Sequence, residues 1–188
     1  LTQGTGANVV IPNGGIRMVA TDGAGSGAAV TDVLDVLGGT GNVGLGSGAF
    51  GTGLTTGTDN VAVGDSSGDA LTTGTDNTFV GNNSGGATTT GANNVAIGSA
   101  ALDGNTTASD NIAIGINALG ASNTSSNNVA IGTGALDANT SGSGVAVGKD
   151  ALGANTTGGS NTAVGYAALT ANTCLLYTSD AADEEDSV

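Results

Sequence analysis

Asn94-Val95-Ala96-Ile97-Gly98-Ser99-Ala100-Ala101-Leu102 is followed by eight small or polar residues and then begins again as Asn111-Ile112-Ala113-Ile114-Gly115. A four-residue motif ending in glycine starts at Val43, Val61, Thr78, Val95, Ile112, Val129, Val145 and Thr162, at spacings of 18, 17, 17, 17, 17, 16 and 17. A second landmark keeps the same step: Thr55-Thr56, Thr72-Thr73, Thr89-Thr90, Thr106-Thr107, Asn123-Thr124, Thr140-Ser141 and Thr156-Thr157. Two landmarks in one register define a repeat. A unit this short cannot bury an apolar face alone and reads as one winding of a stacked array.

Within the unit, β-branched residues at i and i+2 fit a short strand, and three alternating residues are too few for an apolar helix face. The motif glycine, present in all eight units as Gly46, Gly64, Gly81, Gly98, Gly115, Gly132, Gly148 and Gly165, suits a sharp corner that needs positive φ or close backbone approach. The expected fold is therefore all-β, a parallel β-solenoid or β-roll of about eight 17-residue repeats.

Stacking turns each position of the unit into a column. The branched column is expected to point inward, as Val61, Val63, Val95, Ile97, Ile112, Ile114, Val129, Ile131, Val145, Val147 and Val164, closed by Leu102, Leu119, Leu136, Leu152 and Leu169. Gly68 and Gly85 stand where those leucines belong, which marks their two coils as the weakest. Asparagine precedes the motif at Asn42, Asn60, Asn77, Asn94, Asn111, Asn128 and Asn161, where its amide can close a turn and bond to its stacked copy; Gly144 interrupts that ladder. Because side chains alternate across a strand, the middle residue (Ala62, Ala96, Ala113, Ala130, Ala146, Ala163) is expected to face away from the branched pair. It would then pack against another backbone or stand as a small exposed residue.

Outside the repeat, residues 1–41 read as a capping or connecting segment. Residues 8–20 fit a β-hairpin turning at Pro12-Asn13-Gly14-Gly15, and apolar positions 30, 33, 34 and 37 before Gly38-Gly39 favour a short helix over a strand. Residues 42–173 are the repeat domain. From Cys174 the composition changes abruptly, and residues 174–188 resemble a translated sequencing-library adapter, the alternative being a genuine acidic tail. Five of the sixteen acidic residues lie there, with the single cysteine, so no disulfide framework can be drawn.

Composition narrows the function. With 36 glycines, two tyrosines and two phenylalanines the chain lacks the large side chains of a conventional core. Two basic residues against sixteen acids cannot neutralise phosphates, so no nucleic-acid partner is expected, and no apolar run is long enough for membrane insertion. Without histidine neither a Ser-His-Asp triad nor a histidine metal site can form. Asp65 and Asp69, the nearest carboxylate pair, read as turn aspartates. Asp59-Asn60, Asp76-Asn77 and Asp110-Asn111 could offer oxygens to calcium but read as turn chemistry, and the glycine string 23–27 lacks the lysine of a phosphate loop. The expectation is no enzyme, no cofactor and no metal.

The elements from Asn94 to Gly98, Asn111 to Gly115, Asn128 to Gly132 and Asn161 to Gly165 resemble the head repeats of YadA-like trimeric autotransporter adhesins, and similar units occur in phage tail fibres. Over residues 42–173 the resemblance implies a left-handed β-roll, a homotrimer around a common axis, and adhesion at an extracellular bacterial surface or a place in a virion. Val95 and Ile97 would fill the roll, Gly98 would turn the chain, and Ala96 with its equivalents would approach the trimer axis. A host surface, matrix protein or glycan would be the external partner. The units here are longer than that family's, the excess lying in loops such as Asn155-Thr156-Thr157-Gly158. A third reading, an ice-binding solenoid with regularly spaced threonines, is weakened because adjacent threonines such as Thr72-Thr73 face opposite sides of a strand.

Overall fold

The computed structural model describes the backbone of residues 17–21 and 30–35, and residues 41–170 apart from Thr52, Ser122, Asn123, Ser141 and Thr157. Among the described residues ten strands follow one another in chain order in a single sheet: β1 (Arg17–Thr21), β2 (Val30–Asp35), β3 (Val43–Leu45), β4 (Val61–Val63), β5 (Thr78–Val80), β6 (Val95–Ile97), β7 (Ile112–Ile114), β8 (Val129–Ile131), β9 (Gly144–Val147) and β10 (Asn161–Val164). From β3 onward every pair is parallel and in repeat register: Val61 lies beside Thr78, Thr78 beside Val95, and Val95 beside Ile112. The repeat is thus a parallel β-solenoid of about seven turns, 17 residues apart, with no helix among the described residues.

Hydrogen bonding between coils continues beyond the three-residue strands. Ala100 N–H donates to the Asn82 carbonyl of the preceding coil (3.0 Å), while Leu102 N–H donates to Ala118 of the following one (3.0 Å). This reversal requires left-handed backbone at non-glycine residues, including Ala100 (φ 54°), Leu102 (φ 56°), Leu119 (φ 53°), Leu136 (φ 52°) and Leu152 (φ 50°). Each such residue costs about 1–2 kcal/mol, offset by its bond to a neighbouring coil and, at the leucines, by a buried side chain.

The interior corrects the sequence-based assignment of faces. Ala62, Ala96, Ala113, Ala130, Ala146 and Ala163 are buried within their own coils, so they cannot form a column that faces another chain. The residues on either side of each alanine, from Val61 and Val63 to Val145 and Val147, are only half-buried or exposed. Leu102, Leu119, Leu136 and Leu152 are buried as expected, and Leu169 is half-buried. The reason is the thinness of the coil: the space behind the strand already holds the leucine of the opposite limb, and a methyl group is what remains to be fitted.

Phe79 shows how tight that fit is. It alone places a large side chain in the alanine column of the described coils, and it sits beside the two leucine positions that are glycine. A Cβ on Gly85 would lie 2.5 Å from Phe79 Cε1, and one on Gly68 2.9 Å from Phe79 Cδ2. The leucine column is therefore not empty at Gly68 and Gly85, because one ring fills both places. Leu71, also buried, adds to the core of the same region.

The asparagine ladder forms as expected and lies inside. Asn77 donates both its main-chain N–H and its Nδ2 to Asn60 Oδ1 (3.0 Å each), and Asn94, Asn111 and Asn128 repeat the arrangement. At the interruption, Gly144 N–H still reaches Asn128 Oδ1 at 2.9 Å. Asn111→Ala is expected to leave the Asn128 main-chain N–H and one amide hydrogen without their acceptor. Its predicted cost is about 2–4 kcal/mol in urea unfolding followed by circular dichroism, against little change for Thr133→Ala on the exposed corner.

Ahead of the repeat, β2 is a strand where the spacing favoured a helix. It pairs antiparallel with β1 on one side and, through Asp35 opposite Gly44, with β3 on the other. Pairing with the free edge of the first coil satisfies backbone groups that a helix there would leave open. The turn at Pro12–Gly15 and the first arm of the expected hairpin lie outside the described residues; β1, in its second arm, pairs with β2.

Candidate functional surface

With the alanines inside, the outer face of the sheet carries two columns of branched side chains. Val43, Ile97, Ile112 and Ile131 are 37–39% exposed and Val164 72%. Val61, Val63, Val80, Val95, Ile114, Val129, Val145 and Val147 are half-buried along the same face. The spacing between strands is about 4.8 Å, so the two columns, one of them broken by Thr78 and Thr162, form an apolar stripe along the solenoid. Sequence reasoning missed it because hydrophobic residues were assigned to the interior. The signal that could have found it is Phe79, whose size at the middle position is balanced by glycines at 68 and 85.

The corner glycines stand where they were expected. Seven of the eight, from Gly46 to Gly148, have φ between 128° and 137° and face the corner backbone of the following coil; Gly98, for example, would place a Cβ 2.6 Å from the Gly115 carbonyl oxygen. Gly165 shares the conformation (φ 132°) but among the described residues would meet only Ala168 Cβ, at 3.8 Å.

The residue after the glycine is exposed in every coil: Ser47, Asp65, Asn82, Ser99, Ile116, Thr133, Lys149 and Tyr166. Seven residue types occupy eight positions, so the fold places no demand on this column. Near its end Lys149 pairs with Asp150 and lies over the Tyr166 ring, 5.4 Å from its centroid. That pairing holds the Lys149 ammonium above its ordinary pKa, through the hydrogen bond to Asp150 first and its charge second. Burial pushes Asp103 and Asp137 above the usual carboxylate range; the Asn83 hydrogen bond counters it at Asp103, and the Asp150 charge adds to it at Asp137.

The aspartates weighed for other chemistry occupy turns. Asp59, Asp76 and Asp110 are exposed in left-handed backbone (φ 59–60°). Asp65 accepts from Asn82 Nδ2 at 3.2 Å, and Asp69 is exposed. Among the described residues no three His, Cys, Asp or Glu side chains are grouped to hold a metal ion. The geometry thus offers surfaces: an apolar stripe, a variable corner and a hydroxyl-rich return limb.

The fold and these faces define a parallel β-solenoid repeat protein. No protein-family model, curated protein or solved structure matches the chain.

Proposed function

We propose that this chain is a non-catalytic adhesion and structural module of a bacterial trimeric autotransporter-like adhesin, displayed extracellularly and assembled as a homotrimer. The observation that carries the reading is the apolar stripe on the sheet's outer face. Valine, isoleucine and leucine side chains, half-buried or exposed, line the outer face along all eight parallel strands, broken only by Thr78 and Thr162, and a contiguous exposed apolar face marks an association surface. Three copies meeting along that stripe would bury it, in place of the alanine packing inferred from the sequence. The motif resemblance supplies the adhesin setting. A shaft segment of a phage tail fibre is the alternative that shares this assembly, and the sequence flanking the repeat separates the two: a coiled coil with a β-barrel anchor marks an adhesin, an autoproteolytic chaperone domain a fibre.

Light scattering on the intact chain is expected to give three times the 17.4 kDa chain mass. Ile97→Asp with Ile131→Asp, on exposed positions, should yield monomers that keep the β spectrum, because a charge buried in an apolar interface is strongly disfavoured. A wild-type chain that is folded and monomeric at micromolar concentration would overturn the trimer. Particles coated with the trimer should attach to host matrix or cells, and trimers that attach to nothing favour the fibre shaft.

A further inference from the structure

The return limb carries a second ordered surface, five residues before each strand. Thr55, Thr72 and Thr89 donate their hydroxyls to the main-chain carbonyl of the threonine one coil further on, at 2.9–3.0 Å. These inner hydroxyls hold the coils in register. The next residues, Thr56, Thr73, Thr90 and Thr107, are exposed. After each comes a buried small residue (Gly57, Gly74, Gly91, Ala108), and then a half-buried Thr58, Thr75, Ala92 or Ser109.

This arrangement removes the objection raised by adjacent threonines. The paired threonines lie at a bend outside the strands, and both members reach the surface at Thr55-Thr56 and Thr106-Thr107. The same-sided pair is instead a threonine and the residue two further on, with glycine or alanine turned inward between them. At the three glycines the inward position has no room: a Cβ on Gly57 would lie 2.4 Å from the Gly74 carbonyl oxygen, and one on Gly74 2.3 Å from that of Gly91.

The repeat supplies its own comparison for the outer column. The corner residue after the motif glycine is exposed in every coil and varies freely, whereas the outer position of the return limb holds Thr56, Thr73, Thr90 and Thr107, the same exposed residue in four successive coils. An exposed position that could vary and does not is held by something outside the fold. A column of identical groups at one spacing matches a ligand that is itself periodic. The spacing is about 4.8 Å, close to the repeat of water oxygens in ice, and each threonine presents a hydroxyl beside a methyl. The described aromatic side chains that could stack on a polysaccharide are absent from this face, since Phe50 and Phe79 are buried and Tyr166 stands on the corner column.

We infer that the threonine face of the return limb binds ice, ordering a layer of water that merges with the crystal lattice. Because main-chain bonds between coils hold the backbone of these threonines in register before contact, little ordering of the chain remains to be done on binding. The inference goes beyond the adhesion reading and is independent of the oligomeric state.

The test uses the intact chain, with freezing-point hysteresis, ice recrystallisation and partition into a growing ice hemisphere as readouts. The wild type is expected to partition into ice and to arrest recrystallisation. Thr73→Lys with Thr90→Lys should abolish both, while Ser99→Lys on the variable corner should abolish neither. Melting curves by circular dichroism accompany each variant, and Thr90→Tyr alone replaces the double change if that one fails to fold. Exclusion of the wild type from ice overturns the inference. So does unaltered activity in the folded threonine variants, or retention on cellulose or chitin particles without any effect on ice.

Discussion

Gly98→Ala is expected to disrupt the array at its centre, and Gly165→Ala to be far milder although the two glycines share one conformation. At φ 133° an alanine at position 98 carries backbone strain of about 1–3 kcal/mol. Its Cβ would also press on the Gly115 carbonyl oxygen (2.6 Å) and carbon (2.7 Å), main-chain atoms that cannot turn aside. Overpacking of this kind costs about 1–3 kcal/mol more, out of a total stability of about 5–15 kcal/mol. In a linear array each coil is stabilised by its neighbours, so the damage should spread from the β6–β7 contact. Among the described residues Gly165 meets no such backbone, so alanine there should show the conformational cost alone. Urea unfolding compares the two, and hydrogen exchange locates the opened coils. Equal losses in both variants would show that close approach between coils plays no part.

Phe79→Ala is expected to be the costliest core truncation, at about 3–5 kcal/mol, because one ring fills the space of two missing leucines. Gly85→Leu alone should also destabilise, since its Cβ would fall 2.5 Å from the Phe79 ring. Combined, the two changes recreate the alanine and leucine arrangement of the other coils. Leucine is compatible with the backbone at position 85 (φ 59°), which matches that of Leu102 (φ 56°). The double variant should therefore be more stable than the sum of the single effects allows, by a coupling near the top of the usual ~0.5–3 kcal/mol. Denaturant midpoints of the four proteins give the cycle, and strictly additive losses would refute the idea that Phe79 substitutes for the leucines.

These expectations rest on columns, and the columns were differently legible. The period, the corner glycines and the asparagine ladder could all be read from the chain, because each reflects a demand repeated at one position of every unit. The inward alanines could not. A three-residue strand can bury its middle residue or its flanking pair, and hydrophobicity alone favours Val95 and Ile97 over Ala96. The left-handed leucines were equally hidden, since nothing in leucine itself announces positive φ. At β2 the spacing of Val30, Val33, Leu34 and Leu37 fits a helix, yet a strand edge was waiting beside it. For the candidate surfaces, the threonine pairs were visible as a landmark, but which of them faced water depended on a bend that the pairs do not encode.

By itself, then, the sequence determined that one unit makes one coil, that coils stack in parallel register, and that glycine takes the corner. Identical residues at a fixed interval satisfy one another's hydrogen bonds and steric needs wherever they stack. Only the tertiary structure decided which side of the strand is inside. That choice depends on the distance between the two limbs of the coil, which the packing of Leu102 and its equivalents against the strand sets, and across that distance there is room for a methyl group or, opposite two glycines, for the ring of Phe79.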